Sequence, residues 1–374
     1  MSTSRPTPTT VRARGRLTAA PVTSTPRGAP WLLALGALAA LALLPQALWA
    51  GDLPGGSIQA AITAASPGDV IEVPPGVYEE DLDFQGKAVT VRGAGAATVV
   101  RGTGTGPVVT FASGEGPDSV LDGLTLTGGA AVRGGGVLID GASPTVIRCR
   151  IVGNTASSQG SGIQVQGGGA PRIFNNLVGW NGTSGFGDPH GIQVSGSSPA
   201  VVNNTIVRHD SNGVFLSGSS AALVLNNVIA WNGGKVAGDT RGRGICDFSG
   251  GNATLRNNLF HRNRIAAVLR GGKDWKRIAK FQKNNPEDVA VQGNVDGNPG
   301  FVRRPPGDVE ALSCHDAAVC DVLGGRAVDV GHDDPACDDT DGSRNTAGHT
   351  GGPFAAGVEV PDGTSCGMAL LAGS

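Results

Sequence analysis

The residues best equipped for chemistry lie between recurring segments in the middle of the chain. Connecting stretches 182–190, 210–212 and 233–243 carry Asp188, His190, Asp210, Asp239, Arg241 and Arg243. Carboxylate and imidazole are the groups that take a proton, and a guanidinium holds the negative charge that proton removal leaves. These stretches differ in length while the segments between them do not, and variable loops on a rigid scaffold are where function gathers. Asp188, His190, Asp210, Arg241 and Arg243 therefore form the candidate catalytic set.

A second set could hold a substrate. One position of the recurring segment reads Gly153, Trp180, Arg208, Trp231 and Arg262 in successive copies. Indole faces stack on sugar rings and guanidinium forks pair with uronate carboxylates. The alternative is that Trp180 and Trp231 only cover a corner. Residues 262–283 add a basic stretch with Asp274 as its one acid. Within it Lys273, Lys276, Arg277 and Lys280 fall at helical spacing, with Ile278 and Phe281 for the opposite face. Lys276, Arg277 and Lys280 join the candidate binding set; the alternative is an inserted, solvated helix. Oxygen-bearing side chains recur around a glycine from Asp338 to Asn345, so Asp339, Asp341 and Asn345 could hold Ca²⁺, the one cofactor the sequence suggests. Asx turns in a cap explain that stretch equally well.

The elements that would position these groups are repeats. Segments 144–154, 171–181, 199–209, 222–232 and 253–263 align, with starts 27, 28, 23 and 31 residues apart. Their sixth position reads Cys149, Asn176, Asn204, Asn227, Asn258. Their eighth is always apolar: Ile151, Val178, Ile206, Ile229, Phe260. Their eleventh reads Asn154, Asn181, His209, Asn232, Asn263. A second strand follows in each unit, opening on glycine and alternating, as in Gly162 to Val165, with Ile163 and Val165 expected inward and Gln164 outward. One such coil cannot bury its apolar face alone; coils stacked ~4.8 Å apart share a core. Asparagine at one position suits the left-handed backbone of a sharp corner. Its amide can also bond to the asparagine in the next coil, which satisfies a polar group that would otherwise be costly to bury. A leucine-rich horseshoe would need a leucine framework and outer helices, and the Val, Ile, Asn and Gly content argues against it.

The predicted fold is thus all-β, a right-handed single-stranded parallel β-helix. A short helix over 57–66, with Ser57 as N-cap and Ile58, Ala61, Ile62 and Ala65 on one face, is expected to close its N-terminal end. Composition agrees. Gly is 61 of 374 residues, aromatics are 4% and charged residues 16%, which suits many short strands and tight turns and argues against a solvated disordered chain. A formal net charge of −2 offers no field that would gather nucleic acid.

Residues 1–50 read as a secretory signal: a basic, acid-free n-region, an apolar run from Trp31 to Leu44, and a small-residue exit at Ala50. Residues 51–300 are the β-helix and 301–374 an irregular C-terminal cap and tail. The alternative is an uncleaved membrane anchor, although Pro45 and Gln46 interrupt the apolar run; once a signal is removed no stable membrane span is expected. Export makes disulfides expected in the tail, between Cys314 and Cys320 and between Cys337 and Cys366, while Cys149 and Cys246 read as buried thiols.

Residues 57–81, from Ser57-Ile58-Gln59 through Pro74-Pro75-Gly76-Val77-Tyr78, resemble the opening of bacterial proteins of the pectin-lyase-like right-handed β-helix superfamily. Residues 326–354 resemble their closing segment. With the coils between, the resemblance covers roughly residues 52–356. It implies the fold but not an activity, because the superfamily includes polysaccharide lyases, polygalacturonases, alginate epimerases, periplasmic accessory proteins and non-catalytic surface proteins. The polygalacturonase residues are absent: Asn204-Thr205 is followed by Ile206, and no Gly-His-Gly occurs. Inverting hydrolysis needs two carboxyls within ~10 Å, and the coils offer no convincing pair. Asp188-Pro189-His190 resembles a stretch of alginate epimerases, although that family also expects an aromatic hydroxyl nearby and the single tyrosine, Tyr78, is in the first coil. Any catalysis would therefore be of lyase or epimerase type. The resulting reading is an exported, monomeric β-helix, secreted, periplasmic or at the cell surface, that binds or modifies acidic polysaccharide or a cell-surface glycan. The rival is a non-catalytic scaffold or adhesin.

Overall fold

The computed structural model describes residues 47–48, 53–184, 187, 189–234 and 241–298. Within them the chain winds through three long sheets of ten, nine and nine strands, parallel except for one antiparallel hairpin strand at the edge of the third, and each parallel strand pairs with its counterpart one coil away. The first sheet holds Thr145–Ile147, Arg172–Phe174, Ala200–Val202, Leu223–Leu225 and Thr254–Arg256. The second holds Arg150–Val152, Leu177–Gly179, Thr205–Val207, Val228–Ala230 and Leu259–His261. The third holds Val137–Asp140, Ile163–Gln166, Ile192–Ser195, Val214–Ser217, Arg243–Asp247 and Ala266–Arg270. This is a parallel β-helix, and the crossovers between parallel neighbours take the right-handed course that twisted strands favour.

Register places one inward apolar side chain of each strand on the next. Ile151, Val178, Ile206, Ile229 and Phe260 are successive partners in the second sheet. None of the five is more than 2% exposed. Val146, Ile173, Val201, Val224 and Leu255 do the same in the first sheet and are fully buried. Full burial of such a side chain contributes roughly 1.5–3 kcal/mol, and the stack repeats it coil after coil. This is why a fold with few aromatic residues can be stable.

The corner between the first two sheets departs from the expected backbone assignment. The left-handed residue is the fifth of each segment, not the sixth: Arg148, Asn175, Asn203, Asn226 and Asn257 have φ between 54° and 57°. The bend they make turns the sixth residue inward, where Asn176, Asn204, Asn227 and Asn258 are fully buried. Asn176 Nδ2 donates to Asn204 Oδ1 at 3.0 Å, Asn204 to Asn227 at 3.1 Å, and Asn227 to Asn258 at 2.9 Å. Each Oδ1 also accepts the preceding asparagine's backbone N–H, and each Nδ2 reaches a carbonyl such as Ile173 O or Val201 O. Asn294 extends the column by one coil, accepting from Asn258 Nδ2 at 3.0 Å. Cys149 starts it, its backbone N–H donating to Asn176 Oδ1.

A second column runs at the eleventh position, where Asn154 donates to Asn181 and Asn232 to Asn263. The glycines that open the third-sheet strands make room for it. A Cβ on Gly162 would lie 2.7 Å from Val178 Cγ1 and 3.0 Å from Asn181 Nδ2, and one on Gly244 2.7 Å from Phe260 Cδ1.

Both ends are plugged by short helices. The helix Ile58–Ala64 buries Ile58, Ala61 and Ile62, and Ser57 Oγ accepts from Ala60 N. Glu80 completes that N-terminus by accepting from Ile58 N, Gln59 N and Ser57 Oγ. At the other end the helix Ile278–Asn284 inserts Ile278 and Phe281 into the same core. Asp296 accepts from its first N–H groups, those of Ile278 and Ala279, at 3.2 Å. The basic stretch therefore is not one helix. Lys273–Trp275 is a strand antiparallel to Ala266–Arg270, and the helix starts only after Arg277. Trp275, 8% exposed, draws that strand into the core, which overrides the helical spacing of its cations.

Candidate functional site

Among the described residues, two clefts lie on the outward face of the third sheet. Along each third-sheet strand alternate residues leave the core, so Leu138, Gln164, Gln193, Phe215 and Cys246 form one outer row. Asp140, Gln166, Ser195, Ser217 and Phe248 form the next. Gln164 does face away from the core, but it is fully buried, as is Gln193 at 2% exposure. The loops between the second and third sheets fold over this row: a Cβ on Gly160 would come within 2.7 Å of Gln164 Oε1.

One cleft is lined by Pro107, Val132, Arg133, Leu138 and Gln166. The other, of about 630 Å³, is lined by Phe248, Arg270, Lys273, Trp275, Phe281 and Asp288. An aromatic file leads into the second. His190 stacks on Phe215 with ring centroids 4.4 Å apart and planes 8° off parallel, and Phe215 lies 5.9 Å from Phe248. Phe248 is 54% exposed, the most open aromatic among the described residues. Within the cleft Arg270 is fixed by Asp247 at 2.6 Å and Asp288 at 3.2 Å, whereas Lys273 is exposed with its Nζ 4.4 Å above the Trp275 ring. Sequence reading did not single out Phe215 and Phe248, although the alternation that points Gln164 outward points both of them outward too; what it could not show is which outward positions the loops leave open.

The expected catalytic set does not assemble among the described residues. His190 is 3% exposed, with Nδ1 2.9 Å from Ser211 Oγ and 3.3 Å from Asn212 Nδ2. A buried, engaged imidazole cannot reach a substrate proton. Arg243 clamps Asp274 through two bonds of 2.5 and 2.8 Å, so its charge is already matched. Arg241 Nη1 donates to Gly187 O at 2.9 Å, tying two loops together. Asp210 is exposed at the loop surface. Asp188 and Asp239 lie outside the described residues, as do the Ca²⁺ candidates Asp339, Asp341 and Asn345 and the tail cysteines.

Trp180, Arg208, Trp231 and Arg262 do line up on one corner, all with positive φ between 48° and 60° where the first copy carries Gly153. They belong to a different flank. Trp180 and Trp231 are half-buried on the outer face of the second sheet, against Val152, Leu177, Val207 and Ala230. Lys276, Arg277 and Lys280 are exposed beside the C-terminal plug.

Two further reactive groups are spent on structure. The pKa of the Cys149 thiol, with Sγ 3.2 Å from Ile147 O, is pushed up to about 12 by burial, and Cys149 and Cys246 are both buried thiols. His209 stands where neighbouring coils carry asparagine. Its ring nitrogens lie 3.3 Å from Asn181 O and 3.1 Å from Val178 O, and burial lowers its pKa to about 4.

Comparison with known proteins adds a family and little more. The family described as periplasmic copper-binding protein (NosD) matches residues 84–298, more than half of the chain. No curated protein matches. Among solved structures, a mannuronic acid specific polysaccharide family 6 lyase from human gut microbiota is 15% identical with a TM-score of 0.38, over 58% of this chain and 54% of that one. The chain thus spans about half the length of that lyase. The pectate lyase Pel9A is 13% identical with a TM-score of 0.39, over 78% of this chain and 90% of that one.

Proposed function

The chain belongs to the family of periplasmic copper-binding proteins (NosD), and from that premise we propose that it is a non-catalytic periplasmic β-helix that binds acidic polysaccharide along the outer face of its third sheet. The family places it outside the cytoplasm, and no helix among the described residues is long and apolar enough to cross a membrane. The observation that carries the proposal is the file from His190 through Phe215 to the exposed Phe248, which opens into the cleft of Lys273 and Trp275. Phe248 offers a sugar ring a face to stack on, and Lys273 offers a carboxylate a cation. Arg133 supplies a cation in the other cleft. From Asp140 to Phe248 the outer row climbs four coils, ~19 Å at ~4.8 Å per coil. That is long enough for a polymer to lie along the axis.

Copper, which the family description names, does not fit the described donors. Among the described residues no three His, Cys, Asp or Glu side chains converge. The Cys149 thiol is held protonated against backbone carbonyls, both ring nitrogens of the buried His209 lie against backbone carbonyls, and the buried His190 is bonded through Nδ1. Binding is preferred to cleavage because His190, a candidate base, is buried and bonded through Nδ1, and Arg243, a candidate charge stabiliser, is paired with Asp274.

Affinity electrophoresis on pectate and alginate tests this reading. Wild type should be retarded, Phe248→Ala and Lys273→Ala each about tenfold less so, and no unsaturated uronate absorbance should develop. Equal migration with and without polymer would remove the proposal in favour of a scaffold, and growing absorbance would make the protein a lyase.

A further inference from the structure

The opposite flank carries an apolar face that the described residues leave unexplained. Outside the main core, Phe174, Val202 and Leu225 project from the first sheet and are 1–3% exposed. Leu177, Val207 and Ala230 project from the second sheet and are equally buried. An outward row on a solenoid meets water unless something lies over it, and the two described helices pack instead at the ends of the stack. Between the two apolar strips runs a file of the left-handed corner residues Asn175, Asn203 and Asn226, at most 2% exposed. Asn226 is fully buried, and neither its Oδ1 nor its Nδ2 has a hydrogen-bond partner. A buried amide left unsatisfied is costly, because both of its groups have given up water with nothing in return. A backbone laid across the corner would supply both a donor and an acceptor.

We propose that the chain's own C-terminal segment, residues 301–374, docks on this face. The described chain ends at Asn298, just past the last second-sheet strand, Val295–Asp296, so the segment starts beside the face it would cover. Reach is not limiting. Five coils of ~4.8 Å need only about eight extended residues. Charge is complementary. Residues 301–374 hold twelve Asp and Glu against four Arg and no Lys. The flank presents Arg150 and Arg172 at its edges, Arg208 on the Trp corner and Arg262 beyond it. The segment's hydrophobic residues would fill the two strips while its backbone pairs with the Asn226 amide, and its acids would lie near Arg172 and Arg262. This docking is independent of glycan binding, which uses the other flank.

The test is photo-crosslinking in the full-length protein, with benzoylphenylalanine in place of Leu225 and, as control, of Phe248. The Leu225 probe should give cross-links within one chain to peptides from 301–374, and the Phe248 probe none. Hydrogen exchange of unmodified protein guards against a folding defect in the probe variant. At least one stretch of 301–374 should exchange tenfold or more slowly than a free chain. Cross-links from Leu225 to a second copy, or a tail exchanging throughout at the free-chain rate, would overturn the proposal.

Discussion

The Arg208 guanidinium carbon lies 5.2 Å from the centroid of the Trp231 ring, which sits at the matching position one coil further along. Both residues hold left-handed backbone, at φ 60° and 53°, a conformation that costs a bulky side chain of order 1 kcal/mol. Contacts on the flank must offset that cost. Trp231 also meets His261 edge-on at 5.3 Å, so a file of side chains lies along the corner.

A double-mutant cycle of Arg208→Ala and Trp231→Ala should therefore show a coupling of about 0.5–1 kcal/mol in unfolding free energy. Glycan retention should not change in either variant, because the corner lies on the other flank from Phe248. Loss of retention in Trp231→Ala, with Phe248→Ala unaffected, would return the binding site to the Trp and Arg corner.

Asn204 joins three coils. Its Oδ1 accepts from Asn176, and its Nδ2 donates to Ile173 O and Asn227 Oδ1. Replacing Asn204 with Leu strands these groups in a dry interior and should cost about 1–3 kcal/mol. For a chain of this length the melting temperature should fall by a few degrees. An unchanged melting temperature would mean that the column adds nothing to stability.

His209 predicts a pH dependence. Its folded pKa is lowered to about 4 by burial, below the ordinary value of 6.5. Between those values the unfolded chain binds a proton that the folded chain does not, so stability is full above pH 6.5 and is lost as pH falls toward 4. The loss from this group approaches about 3 kcal/mol. His209→Asn restores the residue found in neighbouring coils and should flatten the urea midpoint between pH 7 and pH 4.5. An equally steep profile in His209→Asn would assign the acid sensitivity to other groups.

Much of this protein was determined by sequence alone. Each coil presents the same environment to the same position, so apolar Ile151, Val178 and Ile206 and polar Asn176, Asn204 and Asn227 recur with a period that reveals the stack. The helix after Ser57 and the buried thiols of Cys149 and Cys246 were legible for the same local reasons. Direction and company were decided only by tertiary structure. The left-handed residue proved to be Asn203 and not Asn204, because one bend satisfies the corner and leaves the next side chain free to turn inward. Lys273 left its helical spacing because Trp275 gains more from the core than the strand loses in propensity. His190 and Arg243 looked available in a loop, but stacking coils put Phe215 and Ser211 against one and Asp274 against the other. Phe215 and Phe248, which form the candidate site, fall where alternation from Gly213 and Gly244 points outward, as it does for Gln164. Only the tertiary structure decides what an outward residue meets: a loop folds over Gln164 and buries it, while Phe248 stays open to solvent.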